Sequence, residues 1–388
     1  MAATLFGYAI EPPSQIMIAH VLMLADLSST DVEMESLPTE LSLQIAKHLS
    51  HCDLKALALT SRHIVGVAQT ILLSNVDVSG SHQDVCSFQA SVASRPAYFG
   101  PMVRRLRFYY NIDQGRLDFH ELRRLLRSLP NLRCLHIDVE HYLLFSGNYD
   151  RLSDAISNIA GQLTHLQIGR STNPLKLAST LRRLNSITDL SLDVRSCKTD
   201  PAAGDYNQVN SLPIFLNTLS AMSALVRLYI RGPPQFGATF PLKNLLPFAI
   251  CDILPHTPHL RQLVLHELSR DRGPPPTILL ESSSLAQHVS LPTTLNSITW
   301  VGHDAQHQSN SQHSANTVRT LFVRIPSLTR VNHHERSYRY VFRRIENGDN
   351  QKPIQRRSER LDGISLDRKL EAYELRMNYW NRRGGTSE

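Results

Sequence analysis

Between residues 36 and 76 the apolar side chains recur every three or four positions, which is the spacing of one face of a helix. This pattern predicts three short helices in one small unit. Pro38 suits the first turn of the first helix, and Ser36 is expected to be its N-cap. Asp53 is expected to cap the second helix. A unit this small is near the lower size limit for independent folding, so we expect part of its apolar surface to contact something else.

From about residue 77 to 334 the chain repeats a different pattern. The unit is an apolar residue, two variable residues, an apolar residue, one variable residue and a further apolar residue. The middle apolar positions lie 24 to 38 residues apart and are Leu106, Leu135, Leu166, Leu190, Leu228, Leu263, Ile298 and, in a weaker copy, Val331. Most copies follow a stretch of helical period: 119–129, 152–160, 177–184, 214–222, 245–254 and 317–323.

A helix followed by a short strand, repeated in this way, predicts an α/β solenoid. Alternation along each strand points the apolar pair inward and the residues between and beside them outward. Such a solenoid buries its core between neighbouring repeats and exposes a curved parallel sheet. The alternative is an ordinary α/β sheet with alternating helices. The Pro- and Gly-containing inserts 196–211 and 232–241 are expected to be loops.

The stretch 36–76 resembles the F-box of fungal F-box proteins. The positions that carry the resemblance are Leu37-Pro38, Glu40-Leu41, Ile45, Leu49, Asp53-Leu54, Leu57 and Thr60-Ser61-Arg62. The resemblance implies binding to a Skp-type adaptor and, through it, to a cullin-based ubiquitin ligase. It implies that the adaptor-binding residues are Leu37, Pro38, Leu41, Ile45, Leu49, Leu54 and Leu57. The alternative is a three-helix cap whose apolar positions are all internal core.

The region 77–334 is similar to leucine-rich-repeat proteins, although the usual asparagine or cysteine after the strand is missing in nearly every copy. The predicted fold class is therefore α/β: a three-helix F-box at 36–76, an irregular leucine-rich-repeat solenoid at 77–334, and a C-terminal helical cap. Residues 335–388 are expected to be a basic tail and linker, with a terminal amphipathic helix through Leu366, Leu370, Tyr373 and Met377 that covers the last repeat.

Residues 1–35 are an N-terminal extension with two open interpretations. Met34 stands close before Leu37-Pro38, so translation starting there would leave the first 33 residues as an extension of the gene model or an unstructured segment. The alternative is a short helix that packs on the F-box. Mass spectrometry of the endogenous N-terminus decides between them.

Composition describes a globular protein, with 41% hydrophobic and 19% charged residues and a net charge of +7. Five scattered cysteines without metal-ligand or redox spacing indicate reduced thiols in a cytoplasmic or nuclear protein. No stretch reaches the ~18 apolar residues of a membrane span, and the run 16–27 lacks the flanks of a secretory signal.

No motif of phosphate binding, nucleophilic catalysis or zinc proteolysis is present in the sequence, so we expect no enzyme activity, no catalytic residue and no cofactor. The pairs His303/His307 and His333/His334 are interpreted as solvated histidines rather than a metal site. The arginine-rich tail is interpreted as a solvated segment rather than a nucleic-acid site, because no aromatic platform accompanies it.

What remains is a binding surface on the outward strand positions. Two clusters of arginine and tyrosine stand out there: Arg105, Arg107 and Tyr109, then Arg227, Tyr229 and Arg231. The geometry of a guanidinium group matches that of carboxylates and phosphates, so these clusters are candidates for binding an acidic or phosphorylated client protein. The alternative is that these surface arginines serve solubility alone. The sequence thus favours a substrate receptor, with a non-degradative interaction scaffold as the alternative.

Overall fold

The structure is a computed structural model that describes residues 37–59, 62–78, 82–110, 119–139, 146–169, 172, 174–194, 211–232, 245–266, 291–302, 311–335, 338–344 and 354–360. These residues form two compact units. The first unit contains the described residues up to Arg107, together with Ser128–Leu132. The second unit contains Phe108–Arg127 and the described residues from Arg133 onward.

The first unit is mainly helical. Its elements are α1 (Thr39–Ala46), α2 (His51–Leu57), α3 (Arg62–Ser74), β1 (Asn75–Val78), α4 (His82–Ser94), α5 (Pro96–Phe99), a 3-10 turn (Gly100–Met102) and the beginning of β2 (Arg105–Tyr110). The first three helices share a small core of Ala46, Leu54, Val67 and Leu72. Leu54 and Val67 belong to the apolar residues that recur at helical spacing in the sequence, whereas Ala46 and Leu72 are neighbours of such residues.

The caps of α1 and α2 differ from the sequence expectation. Pro38 is the N-cap of α1 and gives it no side-chain cap, whereas Ser36 lies outside the described residues. Ser50, not Asp53, is the N-cap of α2. Its Oγ accepts a hydrogen bond from the Asp53 N–H at 3.2 Å, and the Asp53 carboxylate accepts one from the Ser50 N–H at 3.3 Å. The Ser-x-x-Asp spacing thus forms a reciprocal capping box, with the acidic residue in the first turn.

The second unit alternates helices and strands. Its helices are α6 (Phe119–Arg127), α7 (Ser146–Ser157), α8 (Ala178–Leu181), α9 (Ser211–Ala221), α10 (Leu245–Phe248) and α11 (Ser311–Arg324). A 3-10 helix at Pro174–Leu177 precedes α8, while a π-helix at Ala249–Ile253 and a 3-10 turn at Leu254–His256 follow α10. Its strands after β2 are β3 (Cys134–Val139), β4 (His165–Ile168), β5 (Asp189–Asp193), β6 (Arg227–Arg231), β7 (Gln262–His266), β8 (Ser297–Gly302), β9 (Arg330–Glu335), β10 (Tyr338–Arg344) and β11 (Ile354–Arg360).

From β3 to β9 each strand is parallel to the next strand in the sequence. The register aligns the repeat markers that the sequence pattern identifies: Leu135, Leu166, Leu190, Leu228, Leu263, Ile298 and Val331 are partners across the sheet. All of them are buried. The repeated apolar position is therefore one continuous row of the core, and the chain folds as a mixed α/β protein.

Hydrogen bonds just before the strands link successive repeats. The carbonyl of Thr164 accepts the N–H groups of Thr188 at 2.9 Å and Asp189 at 3.1 Å, and the carbonyl of Thr188 accepts those of Val226 and Arg227, both at 2.9 Å. The same double acceptance recurs at residues 133, 226, 261 and 296. Because each strand start is fixed to the previous repeat, the residues at these starts form an ordered edge of the sheet.

The stretch after β9, which the sequence predicts as a linker, contains two strands. β10 is antiparallel to both β9 and β11. The Arg344 guanidinium donates to the carbonyls of Pro326 at 2.7 Å and of Phe322, and lies 5.3 Å from the Phe322 ring centroid. A cation at the end of α11 satisfies carbonyls that have no partner within the helix. The predicted terminal helix at 366–377 lies outside the described residues.

The interpretation of His333 and His334 as solvated side chains is wrong. Both lie in β9 and are buried. The His333 ring stacks on Trp300, with centroids 4.4 Å apart and planes inclined by 11°, and Tyr340 of β10 lies on its other neighbouring strand, 6.1 Å away. These aromatic rings continue the apolar row of the sheet, so the histidine is a core residue. His303 and His307 lie outside the described residues.

Candidate functional site

The start of α1 presents an exposed apolar corner in the first unit. Leu41 exposes 52% of its surface, Pro38 is also exposed, and Leu37 and Ile45 are half-buried. In the sequence these are the positions that resemble the adaptor-binding residues of an F-box. An exposed leucine beside an exposed proline on so small a unit provides apolar surface that a partner can cover.

The other three residues implied by the resemblance are not exposed. Leu54 exposes 4% of its surface and belongs to the core, Leu49 packs against that core, and Leu57 is half-buried. Of the seven predicted positions only Pro38 and Leu41 are therefore exposed, four are half-buried and Leu54 is a core residue. Substitution of Leu54 tests folding rather than contact with a partner.

The first arginine cluster is held by polar partners on β1. The Arg105 Nη1 donates to Asn75 Oδ1 at 3.1 Å, and Arg107 lies 3.5 Å from the Asp77 carboxylate. The side chains of the Arg107–Asp77 pair are 41% and 28% exposed, so water screens their attraction. Tyr109 is half-buried. Both arginines of β2 are therefore positioned by side chains of the neighbouring strand β1.

The second cluster lies on β6 and is less exposed than the alternation suggests. Tyr229 exposes 9% of its surface, and its hydroxyl lies 3.1 Å from Nδ1 of His266 on β7. Arg227 and Arg231 are half-buried. On β5 all five residues are buried, including Asp189 and Asp193. The face opposite the leucine rows thus includes buried polar groups, which must be paired because burial removes them from water.

Asp189 is the centre of the best-defined polar cluster. It exposes 6% of its surface. Its Oδ2 accepts a hydrogen bond from the Thr188 hydroxyl at 2.6 Å and lies 3.0 Å from Nε2 of His165 on β4, while its Oδ1 pairs with Nε of Arg227 on β6. The Thr164 hydroxyl lies 2.8 Å from the other imidazole nitrogen. The register places His165, Asp189 and Arg227 side by side on three neighbouring strands.

A cavity of about 410 Å³ opens beside this cluster, and we call it the strand-start pocket. It is lined by Thr188, Asp189, Val226, Arg227, Arg261, Gln262 and Asn296. Each lining residue is the first residue of β5, β6 or β7, or directly precedes β5, β6, β7 or β8. Arg261 and Asn296 were not singled out from the sequence, because their common feature is a position in the register and not a motif.

A serine, a histidine and an aspartate also lie near one another at the end of α9. Ser220 Oγ lies 2.9 Å from Nδ1 of His256, and Asp252 is one helical turn before His256. Burial raises the pKa of Asp252, and the nearby His256 partly opposes this effect. Within the described part of the chain no hydrogen bond or ion pair joins Asp252 to His256, so the orienting contact of a catalytic triad is missing.

The described ranges contain no group of three or more His, Cys, Asp or Glu side chains arranged to hold a metal ion. None of their helices has the length and apolar character needed to cross a lipid bilayer.

Comparison with known proteins finds similarity among solved structures and none among family models or curated sequences. No protein-family model matches the sequence, and no curated protein matches it significantly. The chain is similar to a chain of the crystal structure of the Rad7 and Elc1 complex in yeast, at 14% sequence identity over 83% of this chain and 93% of that chain, with a TM-score of 0.27. A TM-score this low does not establish a common fold.

Proposed function

We propose that the protein is the substrate-recognition subunit of a Skp–cullin–F-box ubiquitin ligase. Helices α1 to α3 of the first unit bind the Skp-type adaptor, and the polar surface of the second unit binds a client protein. The observation that carries the proposal is the exposed corner of Pro38 and Leu41 on a three-helix unit whose sequence follows the F-box pattern. This corner has the apolar character that an adaptor interface needs.

The proposed mechanism is positional. A receptor that holds a client beside a ubiquitin-charged conjugating enzyme raises the effective concentration of the two reacting groups. The chain then supplies no catalytic group, cofactor or metal of its own. Its contribution is the free energy of two interfaces, and apolar burial contributes roughly 25 cal/mol per Å² to each before the costs of association.

The alternative is a non-degradative scaffold, in which the repeat unit joins proteins without ubiquitin transfer. Both functions use a binding surface, so they differ in the fate of the client. If the protein is a ligase receptor, depletion of the chain lengthens the lifetime of a bound client. If it is a scaffold, depletion leaves that lifetime unchanged.

The proposal is tested by a pull-down of the intact protein and of the double variant Leu37→Ala/Pro38→Ala from a eukaryotic lysate, blotted for the Skp-type adaptor and the cullin. We expect the intact protein to retain both and the variant to lose both while keeping its circular dichroism spectrum. Leu54→Ala serves as a comparison for loss of folding, because it removes a core side chain and should lower stability by about 2–5 kcal/mol. A folded intact protein that retains no adaptor contradicts the proposal.

A further inference from the structure

Some polar groups of the strand-start pocket take no part in the contacts around Asp189. Asp189 is occupied on both oxygens, by Thr188 and His165 on one and by Arg227 on the other. Arg227 uses its Nε for this pair, and among the described residues nothing else holds its two terminal nitrogens. The pair therefore fixes the direction of the Arg227 guanidinium and leaves its outer edge available to a ligand.

The remaining pocket donors show the same availability. Within the described ranges the side chains of Arg261, Gln262 and Asn296 make no hydrogen bond or ion pair, and Arg261 and Asn296 are exposed. The pocket contains two guanidinium groups and one carboxylate, which gives a net charge of +1. Its volume of about 410 Å³ lies within the range of small-ligand sites, so it accommodates a side chain rather than a whole folded element.

We propose that the strand-start pocket binds one anionic side chain of the client protein, a carboxylate or a phosphate, through Arg227 and Arg261. Gln262 and Asn296 add neutral amide donors at the rim. Asp189 is a positioning residue: it orients Arg227 and does not contact the ligand through a hydrogen bond. Guanidinium groups suit this task because their planar fork matches both anions. The inference rests on the proposed function, since it concerns what the receptor recognises.

The pocket also explains why two arginines at this edge do not simply repel each other. Arg227 is neutralised by Asp189, so Arg261 is the uncompensated charge. An anion placed between the two guanidiniums completes the charge balance of the site. In contrast, Tyr229 is buried and its hydroxyl lies beside His266. We therefore place the recognition site at the starts of the strands and not on the face of β6 that carries Tyr229.

The test uses the full chain and three synthetic peptide libraries of equal length. The libraries have random flanking residues and differ only in a fixed central phosphoserine, glutamate or serine. Each library is incubated with the immobilised protein, and retained peptide is quantified by mass spectrometry. We expect the phosphoserine library, or both anionic libraries, to be retained about tenfold over the serine library, because a charge-assisted bidentate contact is stronger than a neutral hydrogen bond.

The decisive variant is Arg261→Glu, because this side chain is exposed and its replacement leaves the Asp189–Arg227 pair in place. The matched control is Arg319→Glu on α11, an exposed arginine whose side chain bonds only to Asn316 among the described residues. We expect the anionic preference to disappear in the first variant and to persist in the second. Retention of phosphoserine without glutamate identifies a phosphate site, whereas retention of both identifies a site for which a carboxylate suffices.

Equal retention of all three libraries overturns the inference, as does a preference that survives Arg261→Glu. Adaptor binding is measured on the same preparations and should be unchanged by either substitution. Anionic preference without adaptor binding keeps the pocket and removes the receptor proposal. Adaptor binding without anionic preference keeps the receptor proposal and removes the pocket, so the two failures are distinguishable.

Discussion

His165 Nε2 lies 3.0 Å from the Asp189 carboxylate, and the two residues are register partners on neighbouring parallel strands. Arg227 lies on the other side of Asp189, again as its register partner. The loss of hydration of this buried carboxylate is offset by the two ion-pair partners and by the hydrogen bond from the Thr188 hydroxyl. The cluster therefore holds three strands in register while it orients the arginine of the strand-start pocket.

Replacing the Asp189 charge should weaken the second unit. Asp189→Asn leaves the half-buried Arg227 without its anion, so we expect the free energy of unfolding to fall by about 2 kcal/mol. Urea unfolding followed by circular dichroism measures the change. The control is Glu121→Gln, whose ion pair with Arg124 on α6 is largely exposed and should be worth at most about 0.5 kcal/mol. Equal losses from the two substitutions would show that the Asp189 cluster contributes no more stability than an exposed ion pair.

Gly100 should tolerate no side chain, for reasons of space. A Cβ at this buried position would overlap the backbone carbonyl oxygen of Ser128 and lie 3.3 Å from its carbonyl carbon. Backbone cannot move aside as a flexible side chain can, so we expect Gly100→Ala to destabilise the first unit by about 1–3 kcal/mol.

Gly66 is the matched control for Gly100. It lies within α3, and an added Cβ there has no atom within 4 Å. Alanine has a higher helix propensity than glycine, so Gly66→Ala should raise stability by up to about 1 kcal/mol. Thermal unfolding of the two single variants should shift the melting temperature in opposite directions. A fall of similar size in both would contradict this account.

Asp252 makes the stability of the protein depend on pH. Burial raises its pKa in the folded state, so the fold favours the protonated carboxyl, and the stability that it contributes is lost as pH rises through the folded pKa. Asp252→Asn should therefore raise the melting temperature at pH 7, and the gain should shrink as the pH is lowered toward about 4, the ordinary range of an aspartate. Asp150→Asn, at an exposed site of α7, is the control. A gain that is the same at both pH values argues against the burial effect.

The repeated apolar pattern locates strands β3 to β9 of the second unit, because each of these strands carries apolar residues that share one core. The markers Leu166, Leu190 and Leu228 were named from spacing alone and pair across the sheet. β10 and β11 were missed because their arginine content resembles a solvated tail. Pairing with β9 and the contact between Arg344 and the end of α11 give these strands a place that composition does not reveal.

The polar sites were harder to predict for a different physical reason. In the α2 cap the side chains of Ser50 and Asp53 each accept from the backbone N–H of the other, and both are common cap residues, so residue type alone does not show which of them is the N-cap. The lining residues of the strand-start pocket come from four repeats separated by long inserts, so no local motif contains them. Only the register brings Arg227, Arg261 and Asn296 to one edge of the sheet.

The central claim is that the exposed corner of α1 binds a Skp-type adaptor. Isothermal titration calorimetry with purified adaptor tests it on the intact chain, on Leu41→Glu and on Val323→Glu. Leu41 and Val323 are both exposed apolar residues, so neither substitution removes core packing. We predict that the intact chain and Val323→Glu bind alike and that Leu41→Glu binds at least about tenfold more weakly, since burying a leucine is worth roughly 1.5–3 kcal/mol. Absence of binding by the intact chain, or equal binding by all three proteins, would contradict the claim.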